Sequence, residues 1–315
     1  MRVRLGILTA ACTAAMIVAG CQSTVGVSTT GAAATRAAPP GTTPAPLTNE
    51  SRALSVYYQD VQDSLLSRGM LRTDGGGSDA PVSAAMLARN FERIAMYEEY
   101  AMVGGRMVAK QTPSLLHRWE EPVRLQLEFG GSVPQATRRA DSRHVAGLVN
   151  RLARSTGHPI SQVRSGGNFH VFVVSEHERR ALVPRLKEIM PNIGLGTLKA
   201  VTRMPRSSYC LVFAYDPDNR GIYRQAVAVI RAEHPDLMRL SCYHEEIAQG
   251  LGLSNDSPMA RPSIFNDDEE FGLLTGHDDM LLRMLYDRRL TPGMTPARAK
   301  PIVRQIAGEL VASVR

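Results

Sequence analysis

A short polar segment of the chain places side chains at intervals suited to metal-assisted chemistry. Glu245 and Gln249 are four residues apart, so on a helix they share one face. Glu246 lies between them, and Gly252 precedes a third polar residue, Asn255. In a helical metal site, two ligands one turn apart and a third returned by a glycine turn hold the ion, while a glutamate activates bound water. The segment has this spacing.

The residue types fit that chemistry less well than the spacing does. The working zinc pattern is H-E-x-x-H-x-x-G-x-x-H, and the chain matches it only at Glu246 and Gly252. Imidazole is the usual nitrogen ligand of catalytic zinc, carboxylates come next, and a neutral amide is a poor substitute. His244 and Glu245 would start the pattern in another register, but Ala248 then stands at the second histidine position. We therefore expect no zinc here.

Two hypotheses for Glu246 stay open. The degenerate ligand positions and the nearby aspartates offer oxygen only, which suits a hard cation such as Ca²⁺ better than zinc, although the chain has no EF-hand loop. In that case Glu246 would be the general base, and the oxygen donors would be Glu245, Gln249, Asn255, Asp256, Asp267 and Asp268. Without a metal, Glu246 would be a buried carboxylate bonded to a neighbour such as Gln249 or Asn255, because an unpaired buried charge is costly.

The cysteines indicate an oxidising compartment. Beyond the first 21 residues the chain has only Cys210 and Cys242, for which a single disulfide is the natural interpretation in an exported protein. Closing a loop of about 33 residues would stabilise the fold by roughly 3–4 kcal/mol in the chain-entropy description. The alternative is two buried free thiols.

The N-terminus resembles a bacterial lipoprotein signal. A short basic start and an apolar stretch over residues 5–18 lead to Ala19, Gly20 and Cys21, which resemble a lipobox. Residues 1–20 would then be removed and Cys21 would carry the lipid chains, palmitate among them, that hold the protein at a membrane. The alternative is an ordinary secretory signal. Gln22 differs from the aspartate of inner-membrane retention, which favours the periplasmic face of an outer membrane.

Composition divides the rest of the chain. Residues 21–48 are mostly Thr, Ala, Gly, Pro and Ser, which predicts a disordered tether. Residues 49–115 contain two amphipathic patterns, at 49–68 and from Asp79 to Tyr97, that predict a helical hairpin. The formal charge of +7 is scattered along the chain, so we expect no nucleic-acid partner.

From residue 116 to 315 the patterns predict one α/β domain with a mixed sheet. Period-two and apolar runs favour strands near 122–129, 169–174, 209–215 and 221–230. Amphipathic patterns favour helices near 142–155, 178–190, 240–251, 278–286 and 301–314. Asp278 and Asp279 stand where helix caps are expected. Strands mixed with helices, and a long helix after the last strand, are typical of a zincin-like fold.

Several specific motifs are spread over residues 116–310. They are Trp119-x-x-Pro122-Val123, Asn168-Phe169, the segment from Cys242 to Asp256, residues 263–268, and residues 281–287 with Pro292-Gly293-Met294. Together they resemble one bacterial family, the domain of unknown function 2927. Residues 263–266 also lie where metzincins carry their Met-turn, with Phe265 in place of Met, and Leu285-Tyr286 resembles a late matrixin helix. The resemblance leads us to expect Pro at the position of Arg288, where this chain departs from the pattern. The resemblance implies a zincin-like envelope protein in which Glu245, Gln249 and Asn255 are family features.

Three functional hypotheses follow. The first is a non-catalytic, lipid-anchored pseudo-metallopeptidase that binds an envelope protein or polymer, since the groove beside an edge strand can bind backbone after the metal is lost. The second is a metal-dependent hydrolase or peptidase with oxygen ligands and Glu246 as general base. The third is a structural lipoprotein whose cleft has no ligand.

Overall fold

Helices and strands alternate through the computed structural model, which describes residues 44–103, 106–266 and 268–314. In chain order the elements are α1 (Asn49–Ser67), α2 (Ala84–Ala95), β1 (Tyr97–Val103), β2 (Arg106–Pro113), β3 (Arg118–Trp119), β4 (Val123–Phe129), α3 (Gln135–Thr156), β5 (Ile160–Val163), β6 (Phe169–Val174), α4 (Glu176–Arg180), α5 (Val183–Ile189), α6 (Leu195–Thr202), β7 (Cys210–Tyr215), β8 (Ile222–Tyr223), β9 (Gln225–Arg231), α7 (Asp236–Gln249), α8 (Gly276–Leu285) and α9 (Pro296–Val314).

The central sheet has five strands in the order β5-β4-β6-β9-β7. The first four are parallel, and β7 runs antiparallel to β9 at one edge. All six residues of β6 are buried, as expected for a central strand that is covered on both faces. This mixed α/β architecture confirms the predicted fold class.

Helices cover both faces of the sheet because the strand side chains alternate between two apolar clusters. On β9, Ala226, Ala228 and Ile230 join the larger cluster with α3, α7 and α8. Val227 and Val229 join the smaller cluster, which contains residues of α5 and α6. The helix that carries the polar segment, α7, therefore lies against the same sheet face as α3.

The N-terminal part is less helical than predicted. Helix α1 packs on α7 through an apolar cluster that includes Tyr58, Leu65 and Met238. Helix α2 buries Leu87 and Phe91 in the main core, where it contacts α8 and α9. Residues 97–103 and 106–113, which the sequence pattern placed in a helical segment, form the antiparallel strands β1 and β2.

Several predicted elements differ in extent. The helix expected over 178–190 is two helices, α4 and α5, with Pro184 in the first turn of α5, where its missing N–H costs nothing. Helix α3 begins at Gln135, directly after Pro134, rather than near 142. The strand expected over 221–230 is interrupted after Tyr223, so that β8 pairs with β3 while β9 joins the main sheet.

The lipobox prediction concerns residues outside the described part of the chain, since Cys21 and the predicted tether up to residue 43 precede it. The last tether residues are described, and the N–H of Ala45 donates to the backbone oxygen of Gly131 at 2.9 Å. Among the described helices, none combines the length and apolar character needed to cross a bilayer.

Candidate functional site

Helix α7 is fixed on α3 by a buried ion pair. Arg239 donates to both carboxylate oxygens of Asp141, at 2.7 and 3.1 Å, and the hydroxyl of Tyr243 donates to the same carboxylate at 2.9 Å. All three residues are buried. Because α3 packs on the sheet, this bond network sets where the polar residues near the end of α7 lie.

A disulfide joins α7 to the edge strand. Cys210, the first residue of β7, is bonded to Cys242 on α7, as the sequence predicted. Cys242 is only 2% exposed, whereas Cys210 contributes to the wall of a cavity. The bond therefore holds β7 beside the helix face that carries Glu245 and Glu246.

A cavity of about 570 Å³ lies between β7 and the end of α7. Every residue from 210 to 216 lines it, together with Glu245, Glu246, Gln249 and the loop residues Ser254 and Asp256. Consecutive residues of a strand direct their side chains to opposite faces of the sheet. A cavity lined by all of them therefore follows the edge of β7 rather than one face.

The cavity is lined by several acidic residues. Its described lining contains four carboxylates and no lysine or arginine; the carboxylates are Asp216, Glu245, Glu246 and Asp256. The whole chain, in contrast, has a formal charge of +7. The site is therefore an acidic cleft in a basic protein.

Polar side chains of α7 lie close together in this cleft. Glu246 is 4% exposed, and its carboxylate, that of Glu245 and the Sγ of Cys210 offer atoms that lie within 4.8 Å of one another. Gln249, one turn further along, donates its Nε2 to Oδ1 of Asp256 at 3.2 Å. The structure thus brings together Glu245, Glu246 and Gln249.

The chain turns after α7 at a glycine that no other residue can replace without movement. Gly252 has φ = +126°, and a Cβ there would lie 2.2 Å from the backbone oxygen of His117. The turn is held from outside by Trp119, whose indole N–H donates to the oxygen of Gly250 at 2.8 Å. The reversal required by the sequence motif is present.

The reversal does not return Asn255 to the cleft. Asn255 is fully buried, donates its Nδ2 to the oxygen of Arg93 at 2.8 Å, and donates its backbone N–H to the oxygen of Ile94 at 3.1 Å. These two hydrogen bonds connect Asn255 to the end of α2. The next residue, Asp256, lines the cleft instead.

Two cleft residues were not singled out from the sequence, His117 and Asp216. Nε2 of His117 lies 3.5 Å from Oδ2 of Asp216, and Nδ1 of His117 lies 2.8 Å from the oxygen of Leu115. His117 precedes β3 and Asp216 follows β7, so the two are about a hundred residues apart in sequence. The only sequence signal was the nearness of His117 to the Trp119 motif.

The donors in the cleft do not fit a zinc-peptidase centre. Of the described lining residues only His117 offers an imidazole, and it comes from outside α7. The amide nitrogen of Gln249 faces Asp256 at the second ligand position, and Asn255 lies elsewhere. Asp268 bonds to Asn266 in an exposed turn and does not line the cleft, while Asp267 is outside the described residues.

The turn predicted at the Met-turn position is anchored to α8. Asp278 accepts from the hydroxyl of Ser263 at 2.6 Å and from the N–H of Ile264 at 3.1 Å. It also forms a capping box with Thr275. Phe265 is fully buried in the main core. Thr275 is thus the N-cap of α8, Asp278 completes the capping box from the third helical position, and Asp279 pairs with Arg151 at 2.8 Å.

Comparison with known proteins identifies a family match. The family described as "Protein of unknown function (DUF2927)" matches residues 84–305, which is more than half of the chain. No curated protein and no solved structure matches the chain significantly. The matched range includes α2 and the β1-β2 hairpin, so it begins earlier than the resemblance noted in the sequence.

Proposed function

The chain belongs to the DUF2927 family, and we propose that its cleft binds an extended, basic peptide segment along β7 without hydrolysing it. The observation that carries this proposal is the cavity that follows the edge of β7 through residues 210–216. We take the fold to be a zincin-like one whose groove has kept its peptide-binding role.

The backbone of β7 supplies the means of binding. Among the described strands β7 pairs only with β9, so one side of it carries N–H and C=O groups without a strand partner. In an antiparallel pair, alternate residues direct both backbone groups away from the neighbouring strand. An extended peptide that adds to this edge gains main-chain hydrogen bonds that do not depend on its sequence.

The charge of the cleft selects the peptide. Four lining carboxylates in a partly enclosed space concentrate negative potential, which attracts lysine or arginine side chains and repels acidic ones. Complementary charge contributes to specificity and association rate more than to affinity. The favoured occupant is therefore a basic segment rather than an apolar or acidic one.

The absence of hydrolysis is proposed from the ligand chemistry. Glu246 occupies the general-base position, but a general base of this class needs metal-bound water. Gln249 and Asn255 place amides where the pattern requires imidazoles, and the amide nitrogens of both are directed to other groups. These residues favour a binding role over the alternative of a hydrolase.

The N-terminal signal supports a location for this binding. With Cys21 lipidated, the cleft would be held at the periplasmic face of a bacterial membrane by a tether rich in Thr, Ala and Pro. The occupant would then be an exposed, basic tail of an envelope protein.

The test measures binding of an arrayed library of proline-free hexapeptides of graded charge to the full-length protein in detergent. Ala214→Trp places a large ring in the cleft, and Leu195→Trp, at a 73% exposed position, is the matched control. We expect lysine-rich and arginine-rich peptides to bind the wild type and the control, and at least tenfold weaker binding by Ala214→Trp. Equal binding by the two variants would overturn the proposal.

Salt dependence and metal analysis complete the test. Raising the ionic strength from 0.1 to 1 M shortens the screening length from about 10 Å to about 3 Å, so binding should weaken markedly. The hydrolase alternative is measured on protein purified without chelators. A stoichiometric metal, together with peptide cleavage that is lost in Glu246→Gln, would replace the binding function with a catalytic one.

A further inference from the structure

We propose that reduction of the Cys210–Cys242 disulfide creates a zinc-binding site in the cleft, with the Cys210 thiolate and the carboxylates of Glu245 and Glu246 as ligands. This site differs from the degenerate zinc motif, because it uses a residue of β7 and leaves Gln249 and Asn255 out. It goes beyond peptide binding and does not depend on it.

The geometry suits a single ion. One atom from each of the three side chains lies within 4.8 Å of the other two. Zinc binds sulfur at about 2.3 Å and carboxylate oxygen at about 2.0–2.2 Å, so tetrahedral ligand atoms stand about 3.5 Å apart. Small side-chain rotations would close the difference. Because the group lines an open cavity, the fourth position faces water or a bound peptide.

The two cysteines of the disulfide differ in exposure, and this difference determines which sulfur can bind zinc. Cys242 is 2% exposed, and its Sγ lies 3.7 Å from Nδ1 of the buried His234. Cys210 is partly exposed and lines the cleft beside the glutamates. Once the bond is broken, the Cys242 thiol stays in the core and the Cys210 sulfur remains next to the carboxylates.

The redox state controls the site because the ligand form of cysteine is the thiolate. In the oxidised protein the Cys210 sulfur is bonded to sulfur, and of the three proposed ligands only the two glutamates remain, which offer oxygen. A thiolate adds a soft donor, which shifts the preference from hard cations to zinc. The disulfide therefore keeps zinc out of the cleft under oxidising conditions.

A phosphine, which becomes its oxide by taking the oxygen of water, can supply the two electrons that break the disulfide, and so can a dithiol. One thiolate of the dithiol attacks Sγ of Cys210, the accessible sulfur, and the S–S bond breaks with Cys242 leaving as a thiolate that takes a proton. The second thiol of the reductant then attacks the mixed disulfide and releases Cys210. The protein disulfide gains two electrons, the dithiol becomes a disulfide, and zinc displaces the proton of the Cys210 thiol.

Cobalt(II) is the probe, since its bond to a thiolate produces a charge-transfer absorption that oxygen ligands do not. We expect the full-length wild type to bind one Co²⁺ with this band only after reduction by tris(2-carboxyethyl)phosphine. Cys242→Ser leaves Cys210 free and should bind Co²⁺ with the same band before any reductant is added. Cys210→Ser should show no band in either state.

The decisive comparison is between reduced wild type and reduced Cys210→Ser, which both lack the disulfide and so share its loss of stability. A band of equal strength in the two, or no band in reduced wild type and in Cys242→Ser, would overturn the proposal. Glu245→Gln should weaken binding at least tenfold, while Asp216→Asn, elsewhere in the cleft, should not. Peptide binding by oxidised protein is measured separately, so failure of one proposal is distinguishable from failure of the other.

Discussion

The side-chain amide of Asn255 donates to the backbone oxygen of Arg93, 2.8 Å away, at the end of α2. The residue that a zinc-peptidase motif would use as its third ligand is thus a structural contact between α2 and the turn after α7. The cleft holds the first two ligand positions, Glu245 and Gln249, without the third.

Rebuilding the histidine motif should therefore fail at its third position. We expect Glu245→His with Gln249→His to bind Zn²⁺ weakly in a calorimetric titration. Adding Asn255→His should not tighten binding, because position 255 is enclosed against α2, and should lower the free energy of unfolding by about 2 kcal/mol or more through the lost hydrogen bond and overpacking. A tenfold gain in zinc affinity from the third histidine would contradict this account.

Acid should destabilise the protein through His244. Its Nε2 lies 2.8 Å from that of His144, and its Nδ1 accepts the N–H of Leu274 at 3.1 Å. Burial, with smaller effects of His144 and Arg151, lowers the pKa of His244 from 6.5 to about 3. Between these values the unfolded chain binds the proton and the folded protein does not, so stability falls as pH falls, by about 1.4 kcal/mol per unit.

Urea unfolding between pH 7 and pH 5 measures this slope. Burial also lowers the pKa of His234 to about 3, which adds a second contribution of the same sign. Burial lowers the pKa of His144 and His158 too. His244→Gln should therefore reduce the slope by one of several contributions, and His177→Gln, at an exposed position, is the control. An unchanged slope in His244→Gln would show that His244 is protonated in the folded state.

The buried pair of Asp141 and Arg239 should be costly to break. Asp141→Asn leaves the enclosed Arg239 guanidinium with only the solvent-exposed Asp236 as counter-charge, and we expect a loss of about 3–5 kcal/mol in urea unfolding. Glu121→Gln is the control, because the pair of Glu121 with Arg224 is exposed and should contribute less than about 1 kcal/mol. Similar losses of stability in the two variants would show that burial does not determine how much an ion pair contributes.

Alanine substitutions at two glycines should change the free energy of unfolding in opposite directions. Gly252→Ala puts a Cβ against the oxygen of His117 in a left-handed backbone, and we expect a loss of about 2 kcal/mol or more. Gly147→Ala lies on an exposed turn of α3, where the new Cβ meets nothing within 4 Å, and should stabilise by up to about 1 kcal/mol. Thermal unfolding followed by circular dichroism compares the two, and a neutral Gly252→Ala would mean that the turn can move.

Local patterns predicted the parts of the fold that local physics decides. The buried run of β6 and the amphipathic pattern of α7 follow from periodicity, and so does the shared face of Glu245 and Gln249. The hairpin β1-β2 was missed although Gly104 and Gly105 stand between its strands, because the helical pattern before it was extended too far. Helix propensity does not define sharply where α2 ends and β1 begins.

What the sequence determined by itself was the family, the α/β class, the Gly252 turn and the pairing of the two available cysteines. These depend on residue order, spacing and count. Tertiary structure alone decided that Asn255 turns to α2, that Asp256 takes its place, and that His117 and Asp216 share the cleft. The physical reason is that a side chain's partner is set by which elements pack beside it, and contacts across many residues of chain leave no mark in local spacing.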